Sequence, residues 1–156
     1  MKGNSKVLAV LNSLLADELT AINQYVVHSE MAENWGYGKL QKLVRSRSIT
    51  EMKHAEKLIE RILFLEGTPI VSTLNKIRIG ADIPKQLAND LASETDAVKN
   101  YNAAVKVAME AGDNVTKELL ESILKDEDGH VDELEEKLDQ IGQMGIQNFL
   151  ALQAGE

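Results

Sequence analysis

Four long segments of this sequence repeat apolar residues at intervals of three and four, and glycines separate the segments. Gly36 and Gly38 interrupt the pattern after the first segment, Gly67 ends the second, and Gly112 lies between the last two. The residues between these breaks are mainly leucine, alanine, glutamate and lysine, which favour helix. The pattern therefore predicts an all-α chain built from four amphipathic helices.

The predicted helix bounds follow from the periodicity and from capping residues. Helices are expected near 5–34, 38–66, 83–111 and 114–142, with a short fifth helix near 146–153. N-caps are expected at Ser5, at Asp82 and at either Asp113 or Asn114. These side chains can accept hydrogen bonds from the first free N–H groups of a helix.

The lengths of the connections predict the topology. The first and last pairs of helices are joined by only a few residues, so each pair is antiparallel. Residues 67–82 form a longer connection, which at roughly 3.3 Å per residue can span about 53 Å and run along the whole bundle. The predicted fold is a four-helix bundle with one long crossover, the arrangement of ferritin-like folds. Residues 70–80 have a strand-like composition that allows a short edge pairing.

The composition restricts the classes of function. The chain has 156 residues, with 25 acidic and 17 basic side chains and a formal net charge of −8. This balance argues against a nucleic-acid partner, because such proteins usually have a basic face. The lack of cysteine excludes disulfides, cysteine-ligated metal clusters and a thiol nucleophile. Without a long apolar run or a signal-peptide pattern, we expect one domain over residues 1–156 that is cytoplasmic and has no membrane partner.

A glutamate interrupts the apolar face of every main helix near its middle. In the second and fourth helices, a histidine follows this glutamate by three residues and therefore lies on the same face. The second pair of helices repeats the pattern of the first pair at a constant offset of 76 positions. The six residues are Glu18, Glu51, His54, Glu94, Glu127 and His130. Chance would rarely produce this repeat, so the pattern predicts one site with pseudo-twofold symmetry between two helical hairpins.

This set of carboxylates needs compensating positive charge. Four buried glutamates would repel one another and lose hydration, at a cost of several kcal/mol per ion. Two divalent cations would neutralise them, and one imidazole per metal favours iron or manganese over a structural zinc site. Di-iron and di-manganese carboxylate proteins use one Glu from each of two helices and Glu-x-x-His from each of the other two. We therefore predict a dinuclear metal site.

With these motifs the sequence resembles the bacterioferritins, the haem-containing branch of the ferritins. The resemblance covers nearly the whole chain, from the opening Met-Lys-Gly to Met-Gly-Ile-Gln-Asn-Phe at 144–149. The motifs Glu-Met-Lys-His at 51–54 and Glu-Asp-Gly-His at 127–130 are both present. The second of these motifs distinguishes the chain from animal-type ferritins, and the absence of cysteine distinguishes it from rubrerythrins.

The resemblance implies iron storage in a hollow homo-oligomer of 24 subunits built from dimers. Each subunit would bind two iron ions and oxidise Fe(II) to Fe(III) with O₂ or peroxide, and the shell would store the Fe(III) mineral inside, whether the centre is a fixed cofactor or the entry pore for the iron. A ferredoxin-type electron donor is an implied partner. By the same resemblance, Glu51 and Glu127 would bridge the two irons, Glu18 and Glu94 would be the terminal carboxylates, and His54 and His130 would bind one iron each.

Two further residues acquire roles from the resemblance. Tyr25 corresponds to the family tyrosine near the centre, and is either an electron donor or an ordinary buried phenol hydrogen-bonded to a carboxylate. Met52 either packs on a helix flank or, as in bacterioferritins, pairs with its copy across a twofold axis to ligate one haem b shared by two subunits. An apolar haem cradle could include Leu19, Ile22, Asn23, Val26 and Ile49.

The sequence also departs from the family pattern in the second helix. Arg47 lies one turn before the glutamate of that helix, where a carboxylate would be less surprising. We expect it either to pair with a ligand glutamate or to face the cavity of the shell. Ser46 and Thr50 stand where some relatives have a histidine and an aspartate that hold an extra inner iron, so that extra site is not expected here.

The remaining histidine and most of the remaining acidic residues have simpler interpretations. His28 has no Glu-x-x-His pattern around it and no second ligand nearby, so it is expected on the helix surface or at an interface. The segment 126–136 is rich in acids. Apart from Glu127, we expect most of them to be surface charge.

An alternative function uses the same six residues. A stand-alone di-iron or di-manganese redox enzyme, similar to a catalase or peroxidase, would keep its metals bound and store no mineral. Such enzymes usually have longer chains or a separate substrate pocket. The short connections and the fifth helix of this chain favour shell assembly over that alternative.

Overall fold

The computed structural model describes residues 1–155 as five α-helices, which confirms the predicted all-α fold. The helices are α1 (Ser5–Asn34), α2 (Gly38–Phe64), α3 (Ile83–Glu110), α4 (Asn114–Met144) and α5 (Ile146–Gln153). Each predicted bound lies within two residues of the observed one. No β-strand occurs in residues 1–155, so the strand-like segment 70–80 makes no edge pairing. No helix in this part of the chain is both long enough and apolar enough to cross a bilayer.

Side-chain caps define where the helices begin. The N-cap of α1 is Asn4 rather than the predicted Ser5, because Asn4 Oδ1 accepts from the backbone N–H groups two and three residues later, at 2.8 and 3.3 Å. Asparagine is at least as good an N-cap as serine. Asp82 and Asp113 cap α3 and α4 as predicted. The C-cap of α4 is Gly145, whose φ of 81° lies in the left-handed region that glycine tolerates.

Two apolar clusters hold the helices together and leave a polar layer between them. α1 packs against α2, α3 packs against α4, and α1 also contacts α3, while α5 packs on α4 and α2. Burial of each large apolar side chain stabilises the fold by roughly 1.5–3 kcal/mol. The first cluster includes Leu15, Leu58, Tyr101 and Ile123. The second includes Leu40, Leu87, Leu134 and Phe149. On each helix, the predicted metal-binding residues lie between the members of these two clusters.

The crossover between α2 and α3 is held by side chains of α1 and not by another strand. Four of its backbone N–H groups donate hydrogen bonds to acceptors on one face of α1, at 2.8 to 3.1 Å. The acceptors are eight, four and four residues apart and therefore share a helix face. The donor and acceptor pairs are Ile70 with Asn12, Asn75 with Thr20, Arg78 with Gln24, and Gly80 with His28.

His28 belongs to this docking face, so the prediction that it lies on the surface or at an interface is wrong. Its side chain is 0% exposed. Nε2 accepts from the N–H of Gly80 at 3.0 Å. The ring proton therefore lies on Nδ1, which donates to Asp90 Oδ1 at 2.9 Å. The periodicity of α1 could not reveal this burial, because the group that covers His28 is the crossover, more than fifty residues later in the chain.

We predict that His28→Leu destabilises the protein by about 1–3 kcal/mol, because it leaves the buried N–H of Gly80 without a partner and removes one of the two hydrogen bonds to Asp90 Oδ1, so that only Gln24 still donates to that oxygen. Trypsin should then cleave the crossover faster after Lys76. The control is Glu33→Gln, an exposed change on the same helix. An unchanged cleavage rate and an unchanged denaturation midpoint in His28→Leu would contradict this account of the crossover.

Candidate metal centre

The structure brings all six predicted metal-binding residues together in the polar layer. They form two groups of four, and within each group the potential ligand atoms all lie within 4.8 Å of one another. One group contains Glu18, Glu51, His54 and Glu127, and the other contains Glu51, Glu94, Glu127 and His130. Glu51 and Glu127 belong to both groups. The arrangement could therefore hold two cations with these two carboxylates between them.

Both histidines direct Nδ1 at the two shared carboxylates. Nδ1 of His54 is 3.2 Å from Glu51 and 3.4 Å from Glu127. Nδ1 of His130 is 3.1 Å from Glu51 and 3.4 Å from Glu127. Since a residue at i+3 lies on the same helix face as residue i, each Glu-x-x-His motif places its imidazole beside its own glutamate. The result is the pseudo-twofold arrangement that the repeat predicted.

The donor atoms of this cluster are not satisfied by the protein itself. Five buried atoms have no hydrogen-bond partner among the described residues: Glu18 Oε2, Glu51 Oε1, Glu94 Oε2, Glu127 Oε1 and His130 Nδ1. The 3.1 Å approach of His130 Nδ1 to Glu51 does not have hydrogen-bond geometry. An unpaired buried polar group costs about 1–3 kcal/mol, and a charged one costs more. Oxygen and imidazole donors left open in this way fit a pair of divalent cations.

The protonation of the cluster shows how strongly it demands positive charge. Burial raises the pKa of Glu94 to about 7. Burial and the neighbouring Glu18 also raise the pKa of Glu51 well above its usual value. Burial acts to lower the pKa of His130, but the carboxylates of Glu127 and Glu94, each 3.4 Å from its Nδ1, outweigh burial and raise that pKa to about 9. Without metal, protons on these groups supply the positive charge that two cations would otherwise supply.

Two buried tyrosines hold the carboxylates that are not shared. Tyr25 on α1 donates to Glu94 Oε1 on α3. Tyr101 on α3 donates to Glu18 Oε1 on α1, at 2.6 Å. Tyr25 therefore has the contact to a carboxylate that one of its two interpretations required. The sequence analysis gave no role to Tyr101, although Tyr25 and Tyr101 are separated by the same 76 positions as the glutamates.

Asp126 is a second residue whose role the sequence analysis missed. His54 Nε2 lies 2.8 Å from Asp126 Oδ2. A ring that binds a metal through Nδ1 carries its proton on Nε2, so Nε2 of His54 would donate to Asp126. Partners of this kind orient metal-binding histidines and raise their basicity. Asp126 belongs to the acidic segment 126–136, most of which was expected to be surface charge, and its side chain is half exposed.

Arg47 adopts neither of its two expected positions. Its side chain is buried, and Nη2 donates to Glu133 Oε1 at 3.3 Å. Nη1 lies 3.9 Å from Asp90 Oδ2, and the guanidinium stands 5.3 Å from the centroid of the Tyr25 ring. Burial acts to lower the pKa of Arg47, but Tyr25 and the two carboxylates raise it overall. Arg47 therefore packs over the ring of Tyr25, and its ion pairs are with Asp90 and Glu133, which lie outside the predicted ligand set.

Met52 lies outside the cluster, on the opposite flank of α2. Its side chain is 49% exposed. Ile49 on the same helix and Val26 on α1 are also exposed, at 43% and 40%. Leu19 and Ile22 are partly buried against the first apolar cluster. The α1–α2 pair thus presents a thioether together with exposed apolar side chains.

Two cavities reach the cluster from different sides. The first, of about 390 Å³, is lined by Glu18, Glu94 and Glu127 and by the more peripheral Asp17 and Asp96. The second, of about 560 Å³, is lined by both histidines together with Asp126 and Glu133. Carboxylates therefore face one opening and imidazoles face the other. Small ions and molecules can reach the site without unfolding of the bundle.

We predict that Zn(II) binding by the metal-free protein strengthens as the pH rises from about 6 to about 9. Glu94 has a pKa of about 7 and His130 a pKa of about 9, so at lower pH both groups carry protons that compete with the metal. Each proton displaced changes the affinity by about tenfold per pH unit. Calorimetric titrations in buffers of different ionisation enthalpy would measure both the affinity and the proton release. An affinity that stays constant over this range would contradict the protonation described above.

Comparison with known proteins agrees with the fold. The sequence model of the ferritin family, described as a ferritin-like domain, matches residues 8–144. The bacterioferritin of Rhodobacter capsulatus is 47% identical over 154 residues, which cover 99% of this chain and 96% of that relative. The bacterioferritin of Brucella melitensis biotype 1 is 42% identical with the same coverage, and that of Mycolicibacterium paratuberculosis is 40% identical over 97% of this chain and 95% of the relative. The chain belongs to the bacterioferritin family of ferritin-like proteins.

Proposed function

We propose that this protein stores iron and oxidises Fe(II) to Fe(III) at the cluster of four glutamates and two histidines. The observation that carries the proposal is the pair of buried four-residue groups that share Glu51 and Glu127 and leave donor atoms unpaired. Membership of the bacterioferritin family supports iron as the metal. In this proposal residues 1–156 are a single ferritin-like domain.

The chemistry is a two-electron exchange between Fe(II) and an oxidant. Two Fe(II) ions give up two electrons, which with two protons convert O₂ to hydrogen peroxide, or convert peroxide to two molecules of water. Glu51 and Glu127 would hold both irons at a short separation, while His54 and His130 would each bind one. Placing the two one-electron donors side by side lets a single oxidant molecule take both electrons. The protein contributes positioning and charge compensation.

The remaining ligands complete each iron position. Glu18 would bind the iron held by His54, and Glu94 would bind the iron held by His130, because each belongs to only one of the two groups. Tyr25 donates its phenolic proton to Glu94. This contact supports Tyr25 as an electron donor to the centre, since a phenol oxidised there could release its proton to the carboxylate.

We propose further that 24 chains, built from dimers, assemble into a hollow shell that keeps the Fe(III) mineral inside. The crossover exposes apolar side chains that a monomer would leave in water, which supports burial against other copies. They are Ile70, Val71, Leu74 and Ile79. The formal net charge of −8 on each chain also supports attraction of Fe²⁺ to such a shell.

We predict that Glu18→Ala combined with Glu94→Ala lowers the rate of Fe(II) oxidation at least about 100-fold, because each iron position loses a carboxylate. Stopped-flow absorption of Fe(III) formation would measure the rate. The matched control is Glu30→Ala combined with Glu110→Ala, which removes two exposed carboxylates from the same two helices. Unchanged kinetics in the first variant would refute the assignment of the site.

The size of the particle separates storage from the alternative function. A shell of 24 chains of 17.2 kDa has a mass of about 410 kDa. Both double variants should form this particle, because none of the substituted residues belongs to the exposed apolar surface of the crossover. A wild-type monomer or dimer that keeps two tightly bound metals would instead indicate a stand-alone di-iron or di-manganese enzyme.

A haem b site is the third part of the proposal. Met52 and the exposed Ile49 and Val26 fit such a group, since a thioether is a soft ligand for haem iron and the porphyrin needs apolar surface. Met52 and its copy in a second subunit would hold the haem iron. When bound, the haem would provide a one-electron redox group, which a ferredoxin-type donor could reduce.

We predict that Met52→Leu removes the Soret absorption band from protein purified with haem, because leucine keeps the volume of the side chain but has no sulfur ligand. The control is Met109→Leu, since Met109 is a similarly exposed methionine on α3. A band of unchanged intensity in Met52→Leu would show that Met52 does not hold the haem.

A further inference from the structure

Tyr101 is a buried residue whose hydroxyl group contacts a carboxylate of the centre. Its side chain is 0% exposed and packs in the first apolar cluster. The hydroxyl group is its only polar side-chain group, and this group donates to Glu18 Oε1 at 2.6 Å. The bond joins α3 to α1, so it does not stabilise the helix that carries it. The bond therefore fixes the orientation of the carboxylate that the phenol contacts.

The opposite side of the centre has the same arrangement. Tyr25 extends from α1 to Glu94 on α3, as Tyr101 extends from α3 to Glu18 on α1. In both cases the phenol contacts the carboxylate that belongs to only one of the two four-residue groups. The two shared carboxylates already have both histidines beside them. The tyrosines therefore donate hydrogen bonds to the two carboxylates that do not have both histidines beside them.

The unpaired atoms explain why such an anchor matters. Glu18 Oε2 is buried and has no hydrogen-bond partner among the described residues. The contact with Tyr101 is therefore the one hydrogen bond that restrains the orientation of this carboxylate in the metal-free protein. Hydrogen bonds from outside the coordination sphere commonly contribute a factor of about 10–100 to metal affinity.

We propose that Tyr101 is a positioning residue of the metal centre, whose hydroxyl group anchors the Glu18 carboxylate for the metal position that Glu18 shares with His54. The inference rests on the proposed function, because it requires that the cluster binds two cations. It assigns Tyr101 to one metal position only, and by the same geometry Tyr25 serves the position of Glu94 and His130.

Titration of the metal-free protein with Co(II), followed by visible absorption and calorimetry, tests this assignment without any turnover. His130→Ala leaves intact the position that contains Glu18 and His54, and His54→Ala leaves the other position intact. In the His130→Ala chain, Tyr101→Phe should weaken Co(II) binding about 10–100-fold. In the His54→Ala chain, the same substitution should change the affinity by less than about twofold.

Two further variants make the test specific to the hydroxyl group of Tyr101. Tyr25→Phe should give the converse pattern, with a loss only in the His54→Ala chain. Tyr37→Phe is the matched control, because Tyr37 is the third tyrosine of the chain and packs with the second apolar cluster near α5. It should change neither affinity.

Three outcomes would overturn the inference in distinguishable ways. An unchanged affinity for Tyr101→Phe in the His130→Ala chain would show that the phenol does not position Glu18. An equal loss in both histidine variants would show that the substitution only loosens the bundle. Fewer than two Co(II) ions per wild-type chain would refute the dinuclear centre itself, and with it the proposed function.

With both histidines present, Tyr101→Phe should weaken the binding of only one of the two Co(II) ions. This result would check the assignment in the complete site.

Discussion

The structure depends on the burial of four carboxylates and two imidazoles between two apolar clusters. The clusters fix the spacing of the helices, so the carboxylates cannot move apart to relieve their repulsion. Positive charge must therefore come to them. In the metal-free chain, protons provide it, which is why burial raises the pKa of Glu94 to about 7 and the adjacent carboxylates raise that of His130 to about 9. Metal binding would replace protons by cations at the same atoms.

The pseudo-twofold symmetry of the centre extends only part of the way outward. The six clustered residues and the two tyrosines repeat at one offset. The next residues outward do not: Asp126 beside His54 corresponds by that offset to Thr50, whose hydroxyl donates to Ser46 of its own helix. Arg47, which lies behind Tyr25, corresponds to the apolar Ile123. The two proposed metal positions would therefore have equal ligands in unequal surroundings, and we expect their affinities to differ.

Local patterns in the sequence were enough to predict much of this molecule. Helix bounds, the caps at Asp82 and Asp113, and the long crossover follow from periodicity, turn residues and connection length. The six clustered residues could be found because i, i+3 spacing and a repeated offset are visible in one dimension. The cap at Asn4 was missed by one residue, because Asn4 and Ser5 have nearly equal capping strength.

Contacts between distant segments were decided only by the tertiary structure. The surroundings of His28, Arg47 and Asp126 depend on groups more than forty residues away, and no local pattern states which side chain will meet which. The sequence by itself determined that six candidate metal-binding side chains would lie on inward faces at matching heights, because helical periodicity and the repeat require it. Only the packing of the helices decided that two tyrosines anchor two of the carboxylates and that the crossover covers His28, because those contacts depend on how the helices and the crossover approach one another in space.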